Sequence, residues 1–277
     1  MIRRAALAVA LAAAAGAAYA DAEFLEALNA ARARGCGGRP GLAQPFAESE
    51  ALGNAARMLE SRVQPGDALP KAGYRATRWL LYQVSGPIGA QASAEQVAQR
   101  SCEQLLDPAF TEVGVHRRGT QAWVIFAAPF SPPKPADAEA VARRVLELVN
   151  AARGVARACG DRKVEAAGPL RANATLDRAA RIHSEDMATK GFFGHDGSDG
   201  STPLIRVTRV GYAGRAVGEN VAAGQTTPET AVEAWIKSPP HCVNLMSPAF
   251  TEMGIAYVVN PASPTGIYWT QVFGRPR

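Results

Sequence analysis

Apolar residues in the second half of the chain recur at helical spacing in two places. The first is residues 138–158, which we predict to be an amphipathic helix because its apolar positions fall on one face. The second has apolar or weakly polar residues at i, i+4, i+7 and i+11, namely Leu176, Ala180, His183 and Met187. Gly191 is the candidate C-cap of this second helix, because glycine tolerates the left-handed conformation that ends many helices.

A third helix and two strands follow. Thr227 and Pro228 are suited to the N-cap and the first helical position. Residues 254–259 and 267–273 are rich in β-branched and aromatic side chains, and proline and glycine separate them, so they are predicted to be adjacent strands joined by a turn. Helices combined with a small antiparallel sheet, without alternating βαβ units, predict an α+β layered domain.

The start of the chain has the pattern of an export signal. Basic residues precede an apolar run over residues 5–18, and Ala18-Tyr19-Ala20 forms a small-x-small cleavage site. We predict a signal peptide over residues 1–20, a mature chain beginning at Asp21, and a periplasmic or secreted protein. A membrane anchor is the alternative, but the run is shorter than the roughly 20 apolar residues that span a bilayer. No later stretch approaches that length, so we expect no transmembrane segment after cleavage.

The net charge adds little to this interpretation. The formal value is +5, of which Arg3 and Arg4 in the predicted signal contribute two. No run of lysine and arginine with interleaved aromatic residues occurs, so nucleic acid is not an expected partner.

Three segments recur in the same order in the two halves of the chain. The first pair shares Asn-Ala-Ala-Arg, the second shares Ala-Ala-Arg and the third shares Pro-Ala-Phe-Thr-Glu. They are residues 25–32 and 146–153, 52–57 and 176–181, and 107–114 and 247–254. Three collinear matches predict one ancestral domain copied once.

The cysteines follow the same repeat. The chain has four, and in an oxidising compartment an even count predicts two disulfides, with three pairings open. Cys36 and Cys159 each follow the Asn-Ala-Ala-Arg segment, while Cys102 and Cys242 each precede the Pro-Ala-Phe block. The repeat therefore favours Cys36–Cys102 and Cys159–Cys242.

A proline-rich stretch separates the two copies. Residues 131–137 contain three prolines, which favour stiff, extended backbone. We therefore predict a degenerate first domain at residues 21–130, a linker at 131–137 and a complete second domain at 138–277.

Three polar residues of the second copy are candidates for a shared site. His195 borders a polar loop, His241 stands at a Ser-Pro-Pro helix start and Glu219 lies between glycine and asparagine. Singly, each has an ordinary structural alternative, such as a backbone contact, a cap or a brace for a turn. In the first copy, however, Ser101 replaces His241, and residues 59–101 contain no histidine and no Gly-Glu-Asn segment. Residues that are absent as a group favour one common site.

Other polar features receive structural interpretations. His183 lies on the apolar stripe of its helix, and Leu59 takes its place in the first copy, so we predict a core histidine. Trp235 is also predicted to be core. The acidic loop at residues 196–199 could hold calcium, but it lacks the ligand spacing of an EF-hand.

Five segments of the second copy together resemble the CAP superfamily of cysteine-rich secretory, antigen 5 and pathogenesis-related proteins, in its bacterial SCP-domain form. They are residues 183–187 (HSEDM), 191–195 (GFFGH), 218–224 (GENVAAG), 235–241 (WIKSPPH) and 268–274 (YWTQVFG). The resemblance covers residues 138–277, and it reaches residues 23–130 only through the repeat. It implies a three-layer α-β-α sandwich, present twice, with the second copy complete.

The resemblance also implies a cleft lined by two histidines and two acids. The histidines correspond to His195 and His241, and one acid corresponds to Glu219. Ser238 stands where the second acid is found in secreted eukaryotic members, so this set is incomplete.

The family includes sterol and fatty-acid binders, which favours a non-enzymatic binding module for a lipid or a cell-envelope component. The alternative is a metal-dependent hydrolase in which His195, Glu219 and His241 hold zinc with an open position for water. Against it, no second acid is available as a general base, and no serine or cysteine nucleophile stands beside a base. A third hypothesis is a purely structural surface for protein interactions.

Overall fold

The computed structural model describes residues 22–86 and 89–277, so the predicted signal peptide lies outside the described residues. The chain divides into two compact units with the boundary between Phe130 and Ser131. Residues 131–134 have neither helix nor strand, and Pro135–Asp137 forms one 3-10 turn. Within the described ranges, every helix is too short or too polar to cross a bilayer.

The first unit is a four-stranded sheet with helices on both faces. Its helices are residues 22–34 (α1), Glu50–Glu60 (α2), Pro65–Lys71 (α3), Ala90–Arg100 (α4) and Cys102–Leu105 (α5). Its strands are Ala47–Glu48 (β1), Ala76–Ser85 (β2), Glu112–Arg118 (β3) and Gln121–Pro129 (β4). The strand order is β1-β3-β4-β2, with β1 parallel to β3 and the other pairs antiparallel. Alternate residues of β4 enter two separate core clusters, which places buried apolar layers on both sides of the sheet.

The second unit has its own four-stranded sheet. Its helices are Ala138–Arg153 (α6), Ala174–Lys190 (α7), Pro203–Arg209 (α8), Pro228–Lys237 (α9) and Pro239–Met246 (α10). Its strands are Arg157–Cys159 (β5), Arg162–Val164 (β6), Arg171–Ala172 (β7), Gly214–Ala223 (β8), Glu252–Val259 (β9) and Ile267–Pro276 (β10). The strand order is β7-β9-β10-β8, and β5 and β6 form a separate hairpin. These helices and mixed sheets confirm the predicted α+β class.

Local sequence signals account for most of these elements. Gly191 ends α7 with a φ of 70°, as predicted for its C-cap. Thr227 caps α9 by accepting a hydrogen bond from the amide of Thr230, and Pro228 occupies the first turn. The two predicted strands are confirmed as the antiparallel pair of β9 and β10.

The prediction of a helix over residues 138–158 is wrong at its end. Helix α6 stops at Arg153 with Gly154 as its C-cap, and Arg157–Cys159 forms strand β5 instead. The strand is fixed by pairing with β6, while Cys159 is bonded to Cys242 on α10. Apolar spacing along the helix does not contain this tertiary information.

The structure contains the two disulfides that the repeat favours. Cys36 is bonded to Cys102 across 66 residues, and Cys159 to Cys242 across 83 residues. In the chain-entropy description, a disulfide that closes a loop of this length raises the free energy of unfolding by up to about 4 kcal/mol.

Candidate functional site

Glu219 is the centre of a buried polar cluster. It lies on β8, and only 2% of its side chain is exposed. Its Oε2 accepts a hydrogen bond from Arg206 Nη2 at 2.7 Å, and its Oε1 accepts one from His195 Nδ1 at 3.0 Å. A carboxylate only accepts, so His195 carries its hydrogen on Nδ1 and leaves Nε2 for another partner. The cluster therefore joins two carboxylate oxygens to one guanidinium and one imidazole.

Strand alternation positions the glutamate and its neighbour differently. Glu219 turns toward Arg206 and His195, whereas the next side chain, Asn220, donates to the carbonyl of His241 at 3.1 Å. Asn244 of α10 donates to the backbone carbonyl of Glu219 at 3.1 Å. The Gly-Glu-Asn segment thus connects the loop that carries His195 to the helix that carries His241.

Arg206 fixes the cluster from α8. Its side chain is 3% exposed and donates to the carbonyls of Ser201 at 2.6 Å and His195 at 2.8 Å, besides Glu219. One guanidinium therefore holds both the backbone and the ring partner of His195. Sequence reasoning missed this residue. One sequence feature could have indicated that Arg206 is buried: it immediately precedes the apolar Val207 on a short helix that begins at Pro203.

The two predicted histidines approach each other. The ring centroids of His195 and His241 are 6.2 Å apart and inclined by 70°. The hydrogen bond to Glu219 raises the pKa of His195 above its ordinary value, whereas burial and the neighbouring His195 lower the pKa of His241. Half of the His195 side chain is exposed. The structure thus brings His195, Glu219 and His241 together, with at least one imidazole open to solvent.

The comparisons with known proteins bear on this half of the chain. Residues 146–273 match the family model described as CAP, the cysteine-rich secretory protein family. This region is a CAP domain. A relative from Bacillus subtilis strain 168, the uncharacterized protein YkwD, is 34% identical over 139 residues. That match covers 50% of this chain and 49% of YkwD, so the chain spans about half the length of that relative.

Two solved structures are similar at low identity. One is an extracellular protein containing an SCP domain from Bacillus anthracis, with 21% identity, a TM-score of 0.44, and coverage of 56% of this chain and 52% of the other. The other is a cysteine-rich secretory protein from Staphylococcus aureus, with 16% identity, a TM-score of 0.39, and coverage of 58% and 55%. Both are too distant for a transfer of residue roles.

His183 borders the cluster of the CAP domain. Its side chain is fully buried, as predicted for a core histidine, and burial lowers its pKa. Its Nε2 donates to the carbonyl of Gly194 at 2.8 Å and lies 3.7 Å from Glu219 Oε1. Its Nδ1 is buried and has no hydrogen-bond partner among the residues that the structure describes. The sequence-based interpretation of a core residue did not include this proximity to the site.

Ser238 does not join the cluster. It lies between α9 and α10, where its amide donates to Ala234 and its carbonyl accepts from Cys242. Across residues 22–86 and 89–277, no hydrogen bond links its hydroxyl to His195, Glu219 or His241. The position that would hold the second acid therefore contributes only backbone contacts.

The donor set of the CAP domain is poorly suited to a divalent cation. The described residues contain no group of three or more His, Cys, Asp or Glu side chains arranged to hold a metal. Glu219 accepts a hydrogen bond from Arg206 on one oxygen and from His195 on the other, so a zinc ion would compete with these two donors for the carboxylate. Zinc binding by His195, Glu219 and His241 stays a prediction that this geometry does not favour.

The acidic loop instead organises itself. Asp186 of α7 accepts from the amide of Ser198 at 2.7 Å and from its hydroxyl at 2.6 Å. Asp199 accepts from the amide of Ser201 and from Arg209. These carboxylates hold the loop that carries His195, and no calcium ligand set appears within the described part of the chain.

Proposed function

We propose that the protein is an exported CAP-domain protein that binds a lipid or another amphiphilic cell-envelope component without catalysing a reaction. The ligand would occupy the cleft lined by His195, Glu219 and His241. One observation carries the proposal: a fixed polar cluster is flanked along the chain by large apolar side chains that are exposed to solvent.

The exposed apolar residues are close in sequence to the cluster. Phe193 is 55% exposed and stands two positions before His195. Leu204 and Ile205 are 58% and 41% exposed and immediately precede Arg206 on α8. Neighbouring exposed apolar groups favour a ligand that covers them, because each square ångström of apolar surface removed from water contributes roughly 25 cal/mol. An apolar chain is therefore the part of the ligand we assign to these residues.

The polar end of the ligand would meet the imidazoles. Glu219 is almost fully buried and both of its oxygens are engaged, so it serves as a brace that fixes the tautomer of His195. The groups left to contact a ligand are His195 Nε2 and the ring of His241. A head group with hydrogen-bonding oxygens is suited to this pair.

The geometry gives less support to a hydrolase. All four cysteines are in disulfides. The hydroxyl of Ser184 donates to Thr270 at 2.8 Å, and that of Ser198 donates to Asp186. Neither is positioned by one of the cluster histidines. Glu219 is almost fully buried, and its two oxygens accept hydrogen bonds from Arg206 and His195, so its position is that of a brace and not of a general base exposed to a water molecule.

We also infer that the first unit is a degenerate copy of the CAP domain. Three contacts support this, because a side chain of the same type makes each of them in both units. They are a buried arginine on leucine and phenylalanine carbonyls (Arg32 and Arg153), an asparagine bridging a backbone amide and carbonyl (Asn29 and Asn150), and a tyrosine bonded to glutamate (Tyr74–Glu112 and Tyr212–Glu252). Both sheets also have the same order of parallel and antiparallel neighbours.

The copy hypothesis explains why only the second unit would bind. Glu219 pairs with Val272 on the neighbouring strand, and the first-unit residue in the same register is Leu81, which pairs with Ile125. Leu59 takes the place of His183. The first unit therefore has apolar residues where the CAP domain has its polar cluster.

Fluorescent fatty-acid binding by the mature chain tests the proposal, with cis-parinaric acid as the probe. We expect saturable binding that falls at least tenfold in affinity in a Phe193→Ser, Leu204→Ser variant and in a His195→Ala, His241→Ala variant. The matched controls are Val155→Ser, which alters an apolar side chain that is 62% exposed, and His116→Ala in the first unit. Equal binding by wild type and both double variants would reject the site.

A further inference from the structure

The outer edge of the second sheet is covered by side chains. The amide of Gly224 donates to the carbonyl of Ile267, so the even-numbered residues of β8 form the backbone hydrogen bonds to β10. The backbone amides and carbonyls of its odd-numbered residues therefore point away from the sheet. Trp235 Nε1 donates to the outward carbonyl of Val221 at 3.0 Å, and Asn244 donates to that of Glu219 at 3.1 Å. These two side chains occupy the acceptors that a further strand would need.

The matching edge of the first sheet lacks these caps. Strand β2 is the last strand of its sheet, and the amide of Gly86 donates to Thr120, so its odd-numbered residues point outward. They are Thr77, Trp79, Leu81, Gln83 and Ser85; Thr77 lies at the register shift between Ala76 and Arg78, and Ser85 ends the strand. The regular central part of this open edge is therefore Trp79, Leu81 and Gln83. No side chain or backbone group in residues 22–86 or 89–277 forms a hydrogen bond with their outward amides and carbonyls.

The positions of the missing caps can be counted from the cysteines. Trp235 lies seven residues before Cys242, and seven residues before Cys102 stands the exposed Glu95. Asn244 lies two residues after Cys242, and its counterpart Gln104 accepts a hydrogen bond from Tyr82 at 3.0 Å instead. The first unit has thus kept the strand and lost both of its covers.

We propose that two copies of this chain pair through β2, antiparallel, about a two-fold axis at Leu81. In this register Leu81 faces its own copy, and Trp79 faces Gln83 of the second copy on both sides of the axis. Each of these three pairs exchanges two hydrogen bonds, so every outward amide and carbonyl of the three residues is used. A register centred on Leu80 would place Gln83 opposite Thr77, which lies at the register shift of β2, so Gln83 would lose its regular pairing.

The chemistry of the strand favours a second copy as the occupant. Arg78 is the one charged residue in β2, and it is paired with Asp107 at 3.0 Å and stacked over Phe110. The proposed register places Arg78 opposite Val84, so no like charges meet. Edge strands usually carry charges that prevent such pairing. Trp79, which is 39% exposed, would gain a cross-strand neighbour.

The symmetry also limits the assembly to a dimer. The opposite edge of the same sheet is β1, which has two residues and pairs with β3. Among residues 22–86 and 89–130, β2 is the one long strand with an open edge, so a two-fold pairing of β2 leaves no second long edge of this sheet for a third chain.

Sedimentation velocity of the mature chain tests this proposal over concentrations from about 1 to 300 µM, a range suited to a small interface. We expect a reversible monomer–dimer equilibrium. A Trp79→Lys, Gln83→Lys variant places lysine opposite lysine in two pairs and should weaken dimerisation at least tenfold. A Trp79→Lys, Gln83→Glu variant places lysine opposite glutamate and should recover part of that loss. Ile182→Lys in the second unit, where the side chain is 48% exposed, is the matched control and should dimerise as wild type does.

Hydrogen–deuterium exchange of the unmodified chain supplies a test that needs no variant. Amides of Trp79, Leu81 and Gln83 should exchange more slowly as protein concentration rises. A chain that stays monomeric at the highest concentration overturns the proposal. A dimer that the Trp79→Lys, Gln83→Lys variant leaves intact also overturns it, as does an equal loss of dimer affinity in Ile182→Lys. A Trp79→Lys, Gln83→Glu variant that dimerises no more tightly than the double-lysine variant overturns it as well.

Discussion

The buried ion pair of Arg206 and Glu219 gives the sharpest stability prediction. Their side chains are 3% and 2% exposed, and their closest atoms are 2.7 Å apart. Arg206→Ala would leave the glutamate buried with His195 as its remaining ring partner. Removing one partner of a buried pair typically costs about 3–5 kcal/mol, because the remaining charge is left uncompensated. We expect a loss of about 3 kcal/mol, since His195 still donates to Glu219.

A surface pair in the same domain provides the matched control. Arg209 and Asp199 are also joined by a short contact, but their side chains are 57% and 53% exposed. Because solvent screens such a pair, Arg209→Ala should cost far less unfolding free energy than Arg206→Ala. Replacing both buried partners, as in Arg206→Met with Glu219→Leu, should cost much less than Arg206→Ala alone, because no charge is left unpaired.

Urea unfolding followed by hydrogen–deuterium exchange mass spectrometry measures these changes. The method reports peptides of the second unit separately, which matters because the chain has two compact units. Similar losses of unfolding free energy in Arg206→Ala and Arg209→Ala would refute the reasoning, and so would a double replacement as damaging as Arg206→Ala.

Three further predictions follow from the same features. Glu219→Gln should lower the pKa of His195 in an NMR titration, because the carboxylate that raises it is removed. In the wild type, the raised pKa of His195 in the folded state stabilises the protein. This stabilisation is fully present below the unfolded pKa of about 6.5 and is lost as pH rises through the folded pKa. An unchanged pKa would contradict the assigned contact. Gly254→Ala should lower the urea midpoint by the equivalent of about 1–3 kcal/mol or more, because a Cβ there would lie 2.2 Å from the backbone of Leu176, and a neutral effect would contradict this close approach. N-terminal sequencing of protein from the periplasm or medium should begin near Asp21, and intact chain confined to the cytosol would contradict export.

Local sequence patterns predicted the elements that are determined locally. Helix α7 and its glycine cap, the threonine cap of α9 and the β9–β10 pair all depend on neighbouring residues or on simple alternation. The end of α6 depends on a hairpin and a disulfide partner far along the chain, so its apolar period did not reveal it.

The candidate site shows the same division. The duplication hypothesis singled out His195, Glu219 and His241, because the half of the chain proposed as the first copy lacks the whole set. It could not single out Arg206, since an arginine in sequence resembles any solvated residue until the fold places a carboxylate against it. It also could not show that Glu219 is an internal brace, because that role depends on which of its oxygens are already engaged.

The arrangement of the disulfides has a consequence for the order in which the chain matures. Each bond joins cysteines of one unit, and Cys102 precedes Cys159 in the sequence. In a chain that enters an oxidising compartment from its N-terminus, the first pair is available before either cysteine of the second emerges. Vectorial entry would therefore favour the native pairs over the two alternative pairings, with less dependence on later thiol exchange.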